Sequence, residues 1–311
     1  MSRIVITEFM DEAAVARMSA DHDALYAPDL VDRRTDLLQA LKKAEVLVVR
    51  NRTCVDAELL QAGPHLRAVG RLGVGLDNID LEACKARGIT VWPATGANDL
   101  AVAEYVITTA MMLLRGAYLA SGRVAAGEWP RQDLIGGETS GRIMGLLGFG
   151  AIARQVATRA QAMGMTVIAH DPHLPNTDPA WVSAQAVSLS DLLAQSDVLS
   201  LHVPLTPQTR HVINADALAA MRADAVLINA ARGGVVDETA LADALRQGRL
   251  AGAALDVFEV EPLTPEAGGI FADLPNLILT PHIAGVTGES NVRVSSLIAD
   301  KVLTHLAKED A

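Results

Sequence analysis

The sequence predicts an α/β protein made of two doubly wound parallel-sheet domains, and three observations predict it. Half of the 311 residues are hydrophobic but only 3% are aromatic, so the cores must be built from Ala, Val, Leu and Ile. That composition suits parallel strands covered by helices on both faces. Short β-type runs alternate with helical patterns in two separate stretches. The length also exceeds that of one typical domain and can bury two ordinary cores.

The first stretch places strands at Ile4 to Thr7, Val46 to Arg50, Arg67 to Arg71 and Ile89 to Trp92. Between them, Asp56 to Ala62 and Ile79 to Arg87 carry helical spacing, with Gly88 as a stop signal after the second. A long apolar helix follows from Asp99, a candidate N-cap, to Arg115, with Gly116 at its end. Its composition predicts burial between domains. Alternation resumes at Ile143 and runs through strands near Thr166 to His170, Val198 to Val203, Ala225 to Asn229, Ala253 to Val257 and Leu277 to Leu279. A last amphipathic segment, Ser290 to Leu306, is too small to stand alone and is expected to cross back onto the N-terminal unit.

A formal net charge of -11 disfavours nucleic acid and anionic membranes as partners, so an anionic substrate needs locally placed arginines. Cys54 and Cys84 lack metal-ligand spacing and read as small buried residues in a reducing compartment; no metal site is expected. The N-terminus meets acidic residues too early for a signal peptide, and Val106 to Leu114 is too short to span a bilayer, which points to the cytoplasm.

RIMGLLGFGAIAR, Arg142 to Arg154, is a β-type run, a glycine turn and the start of a helix. Gly148 permits the tight turn, Gly150 lets the backbone approach a pyrophosphate, and Ala153 is small enough for helix and strand to pack. Ala151 and Ile152 open the helix, whose N-terminal N–H groups favour phosphate. Asp171 stands 18 residues past Ala153 at the end of the next strand, where a carboxylate binds ribose hydroxyls and repels a 2′-phosphate. NAD is favoured over NADP. Asp171 also reads as a cap of the turn before Pro172.

Three later strands run into polar residues beyond their C-terminal ends: Arg232 in INAARGGVVDE, Glu261 in ALDVFEVEP and His282 in TPHIAG. Open α/β sheets bind ligands at that edge. A guanidinium can grip a 2-oxo acid with two parallel hydrogen bonds, and a carboxylate can orient an imidazole that moves a proton. Each also has a plain reading: a surface ion pair for Arg232, an exposed loop acid for Glu261, a hydrogen-bonded core residue for His282.

With these motifs the chain resembles the NAD-dependent D-2-hydroxyacid dehydrogenases, the family that includes D-3-phosphoglycerate dehydrogenase, over nearly its whole length. The resemblance implies a Rossmann NAD-binding domain at 98–283 inserted in a flavodoxin-like substrate-binding domain at 1–97 and 284–311. It implies Arg232 as substrate binder and polariser and Glu261 with His282 as the acid/base relay. Asp256 would contact the nicotinamide amide, His202, Val203 and Pro204 would line the adenine side, and Ala230 and Gly285 would complete the cofactor contacts. In VGRLGVGLDNID, Val69 to Asp80, the N–H groups of Val74 and Gly75 match a substrate-carboxylate grip. Asn98 matches a substrate-side asparagine, although it equally suits a helix cap. Ala284, where many members carry glycine, is a small departure.

Arg50 and Arg52, in VLVVRNRT, follow a strand of the first domain and suggest an anionic substrate tail; solvated surface arginines are the alternative. In phosphoglycerate dehydrogenases the corresponding arginines hold phosphate. EFMDEAAV, GEWPRQ and HIAGVTGESN look closest to bacterial (S)-sulfolactate dehydrogenases. A D-configured 2-hydroxy acid with a charged third carbon is therefore expected, sulfolactate first, phosphoglycerate second, hydroxypyruvate or glyoxylate reduction as a further alternative. The chain stops at Ala311, so no regulatory domain and no serine feedback are expected, and the family resemblance implies a homodimer. A nucleotide-sensing corepressor of the same fold is the competing class, separated by steady NADH turnover. Formate dehydrogenases resemble the family but carry glutamine at the Glu261 position.

Overall fold

The structure, a computed structural model, describes residues 3–309 and divides into two compact units, Met1–Asn98 with Val286–Ala311 and Asp99–Gly285. The first unit runs β1 (Arg3–Ile6), α1 (Glu12–Asp21), β2 (Asp23–Tyr26), α2 (Arg34–Ala40), β3 (Val46–Val49), α3 (Ala57–Ala62), β4 (Ala68–Arg71), α4 (Leu81–Ala86) and β5 (Thr90–Pro93). Its strands form one parallel sheet in the order β2-β1-β3-β4-β5. All four residues of β3 are buried because apolar layers cover both faces.

One layer is supplied by the C-terminal helix, Gly288–Glu309, which packs on β4 and α1 as expected from its amphipathic pattern. A Cβ on Gly70 would lie 2.7 Å from Ile298 Cγ2, so glycine lets this helix sit close on the sheet. Asp56 and Asp80 cap α3 and α4 by accepting the Leu59 and Ala83 N–H groups. Cys84 is buried as expected. Cys54 is not: it lies in the exposed turn beyond β3, outside the apolar layers.

The second unit runs α5 (Asp99–Arg115), α6 (Ser121–Ala125), β6 (Ile143–Leu147), α7 (Ala151–Ala162), β7 (Thr166–His170), β8 (Gln185–Ala186), α8 (Leu189–Gln195), β9 (Val198–Leu201), α9 (Ala215–Ala220), β10 (Val226–Asn229), α10 (Glu238–Arg246), β11 (Gly252–Leu255), α11 (Pro265–Gly268) and β12 (Leu277–Leu279). The sheet order is β12-β11-β10-β9-β6-β7-β8, all parallel. The chain reverses its direction of travel across the sheet at β6, between β7 and β9, which opens the crevice where such sheets bind ligands. Asp99 is the first helical residue of α5 rather than its cap. The apolar face of α5, including Val102, Val106 and Ala110, is covered by α7 and β10 of its own unit.

Candidate active site

At the crevice β6 ends on Leu147 and the backbone turns through Gly148 at φ +86°. A Cβ there would lie 2.6 Å from the carbonyl oxygen of His202, which follows β9, so the close approach of two strand ends requires glycine. Gly150 differs in kind: a Cβ on it would meet nothing within 4 Å, and no side chain caps α7. The N–H groups that begin α7, at Ala151 and Ile152, therefore have no side-chain cap, and such a helix N-terminus favours phosphate. Buried Ala153 and Phe149 fix the turn from below, Phe149 stacking on Trp181 at 5.2 Å between ring centroids.

Asp171 stands one residue past β7. Its Oδ2 accepts the Phe149 N–H at 2.9 Å and its Oδ1 the His173 N–H at 2.9 Å. The carboxylate thus braces the glycine turn while each oxygen keeps a lone pair for a ribose hydroxyl. His202 bonds Ser200 Oγ through Nε2 at 3.0 Å, and desolvation pulls its imidazole down to about 4, so it is neutral. Val203 and Pro204 continue the same wall. A tight turn, a bare helix N-terminus and a strand-end acid fit a dinucleotide with free ribose hydroxyls.

β10, β11 and β12 lie side by side, and Arg232, Glu261 and His282 follow their C-terminal ends. The turn after β10 is shaped by buried Asn229, whose Nδ2 donates to the Arg232 carbonyl at 2.9 Å and whose Oδ1 accepts the Ala231 N–H at 3.1 Å. Ala230 begins that turn. The next loop presses on it so closely that a Cβ on Gly233 would lie 1.7 Å from the Phe258 carbonyl oxygen.

His282 Nδ1 and Glu261 Oε2 are 2.7 Å apart, and Glu261 Oε1 accepts the Phe258 N–H at 3.0 Å. Partial burial works to raise the Glu261 carboxyl. The His282 and Phe258 hydrogen bonds and the charges of His282 and Arg232 outweigh it and hold the carboxyl below its ordinary range. Glu261 is therefore an anion at neutral pH, and its contact with His282 is made through Nδ1. His282 has φ +53°, rare for a residue with a side chain. Asp256, only 1% exposed, enforces that turn: Oδ1 accepts from Thr280 Oγ1 at 2.6 Å and from the Ile283 N–H at 2.8 Å, and Oδ2 accepts the Ala284 N–H at 2.8 Å. Gly285 closes the segment.

In the first unit Arg50 and Arg52 part ways. Arg50 donates through Nη2 to Asn291 Oδ1 at 2.8 Å and sits 5.9 Å from the Phe9 ring centroid. Arg52 is exposed and paired with Asp32. Glu8, which opens EFMDEAAV but carries no sequence signal of its role, is 5% exposed and accepts the backbone N–H groups of Arg50, Arg52 and Thr53 at 2.8, 3.2 and 3.0 Å. Asn78 Nδ2 donates to the carbonyls of Arg50 and Thr53. Val74 and Gly75 follow β4 in a half-buried turn. Asn98 does not cap α5, since its Oδ1 accepts no hydrogen bond. Among the described residues no group of three or more His, Cys, Asp or Glu is placed to hold a metal, and no single helix is long and apolar enough to cross a membrane.

A dinucleotide turn beside an Arg, Glu and His set defines a pyridine-nucleotide oxidoreductase acting on a carbon–oxygen bond. Residues 107–284 match the family model described as D-isomer specific 2-hydroxyacid dehydrogenase, NAD binding domain. An (S)-sulfolactate dehydrogenase from Chromohalobacter salexigens is 56% identical over 97% of both chains. A D-3-phosphoglycerate dehydrogenase from Methanocaldococcus jannaschii is 36% identical over 97% of this chain and 57% of its own length. A glyoxylate reductase structure from Paecilomyes thermophila superposes with a TM-score of 0.87 at 30% identity, covering 99% of this chain and 96% of that one. The chain belongs to the D-isomer specific 2-hydroxyacid dehydrogenases, oxidoreductases that act on CH–OH groups with NAD.

Proposed function

We propose that the chain interconverts (S)-3-sulfolactate and 3-sulfopyruvate with NAD. The 56% identity to an (S)-sulfolactate dehydrogenase across 97% of both chains carries this reading. Stereochemistry agrees: sulfur outranks the carboxylate in naming, so (S)-sulfolactate has the spatial hand of D-lactate. In this reading the unit holding Arg50 binds substrate and the unit holding the glycine turn binds NAD.

Arg232 holds the substrate carboxylate and C2 oxygen through its planar fork and polarises the C–O bond. In the oxidative direction His282 Nε2 takes the hydroxyl proton, and anionic Glu261 stabilises the imidazolium across the 2.7 Å contact. The C2 hydrogen leaves with its electron pair, so alcohol becomes ketone, one proton rests on His282 and the hydride is transferred out. Bound NAD supplies the hydride acceptor. Within the unit that binds substrate, the N–H groups of Val74 and Gly75 and the amide of Asn98 suit a carboxylate, and Arg50 suits the anionic tail. Arg52, spent on Asp32, contributes less than Arg50.

D-3-phosphoglycerate is the second reading, supported by the relative at 36% identity. Initial rates with both sulfolactate enantiomers, D-3-phosphoglycerate, D-glycerate and D-lactate separate them. The (S)-enantiomer should give the highest kcat/KM, and Arg50→Ala should cost it about 10- to 100-fold while sparing D-glycerate. Preference for D-lactate, or equal losses on both substrates, refutes the tail assignment. We read the protein as a cytoplasmic homodimer; the exposed apolar side chains of Tyr118, Leu119, Val124, Trp129 and Ile135 in one short stretch support the self-association.

A further inference from the structure

The relay leaves one acid beside it unexplained. Glu238 opens α10, directly after the cap Asp237, and is 7% exposed. Burying a carboxylate is costly unless its oxygens are used. Here Oε1 accepts the Glu259 N–H at 2.6 Å, two residues before Glu261. The loop that carries Glu261 is thus held from two sides: the turn at Gly233 lies against the Phe258 carbonyl, and Glu238 pulls on the next N–H. The loop's own bond, from Phe258 N–H to Glu261 Oε1, then sets the direction of the Glu261 carboxylate.

We infer that Glu238 is a positioning residue of the relay, fixing the loop so that Glu261 meets His282 Nδ1 and adding its charge to the field there. The inference rests on the Glu261–His282 reading above. Burial raises the Glu238 carboxyl; the Glu259 N–H bond opposes this, the charges of Glu259 and Glu261 add to it, and His211 opposes it. His211 Nε2 in turn lies 3.1 Å from Glu259 Oε1. The ionisable groups set around Glu238 are therefore Glu259, Glu261 and His211, with Arg232 and His282 beyond Glu261.

Two variants separate geometry from charge. Glu238→Ala removes both and should lower kcat on the order of 10- to 100-fold, the cost of a small misplacement of a reacting group. NADH affinity, followed by fluorescence titration, should stay unchanged. Glu238→Gln keeps an oxygen for the Glu259 N–H, so kcat should return to within about threefold of wild type. Because a neighbouring negative charge is gone, the pH limb of kcat/KM for 2-oxo acid reduction, where His282 must be protonated, should move to lower pH. A Glu238→Ala protein with wild-type kcat and an unmoved profile overturns the inference, and so does Glu238→Gln no better than Ala. His282→Ala run alongside tells the two failures apart: retained turnover there would remove the relay itself, whereas its loss beside normal Glu238 variants removes only this positioning role.

Discussion

Replacing Asp256 with alanine isolates the residue that holds the His282 turn. The change strands three donors: Thr280 Oγ1, the Ile283 N–H and the Ala284 N–H. They do not suffer equally. Thr280 Oγ1 also lies 2.6 Å from Tyr105 Oη and can turn to it. Ile283 is exposed, so its N–H can rehydrate, while Ala284 is buried and its N–H cannot. One full desolvation penalty of about 1–3 kcal/mol, added to two partly replaced charge-assisted bonds, gives a loss of about 2–4 kcal/mol. For a unit of this size that lowers Tm by roughly 5–15 °C. Thermal melts of the NADH-free protein by circular dichroism measure it, and keeping cofactor out separates bracing from any contact with nicotinamide. Asp256→Asn, which retains an acceptor oxygen, should lose about half as much. A Tm within about 2 °C of wild type for Asp256→Ala would show that the carboxylate does not carry the turn.

Two further outcomes are expected. His202 is depressed to about 4 from an ordinary value near 6.5, so the unfolded chain binds the extra proton first, and the stability it contributes is full above pH 6.5 and lost as pH falls toward 4. Urea midpoints should show wild type losing about 2 kcal/mol more than His202→Gln between pH 7 and pH 5, and parallel losses would contradict neutral burial. Trp129→Asp with Ile135→Asp should convert a dimer to monomer by light scattering at micromolar concentration. A wild-type monomer, or a variant that remains dimeric, rejects that surface as the contact.

What the sequence revealed follows from where each element lies. Val46–Val49, Val198–Leu201 and Val226–Asn229 are buried on both faces, so their runs, apolar except for Ser200 and Asn229, announce interior parallel strands. Asp23–Tyr26 and Gln185–Ala186 are sheet edges, half or wholly exposed, and their mixed composition gives no strand signal. Arg232, Glu261 and His282 were legible because each closes a short motif beyond a strand. The residues that hold them were not. Asn229 works within its own turn, on Ala231 and Arg232, in a way no spacing announces, and Glu238 meets the Glu259 N–H only on folding, as Glu8, in the other unit, meets three N–H groups near Arg50. The Glu261 to His282 contact itself spans 21 positions in sequence.

The two hydrogen bonds that Asp171 accepts, from the N–H groups of Phe149 and His173, bear on any redesign of coenzyme choice. Admitting a 2′-phosphate calls for removing that carboxylate's charge, yet the same edit cuts the strut beneath the phosphate-binding turn. Alanine or glycine there would trade selectivity for a slack loop and lose both coenzymes together. A neutral residue that still accepts the Phe149 N–H, such as asparagine or serine, with a cation recruited nearby, keeps the turn rigid while its preference is rewritten.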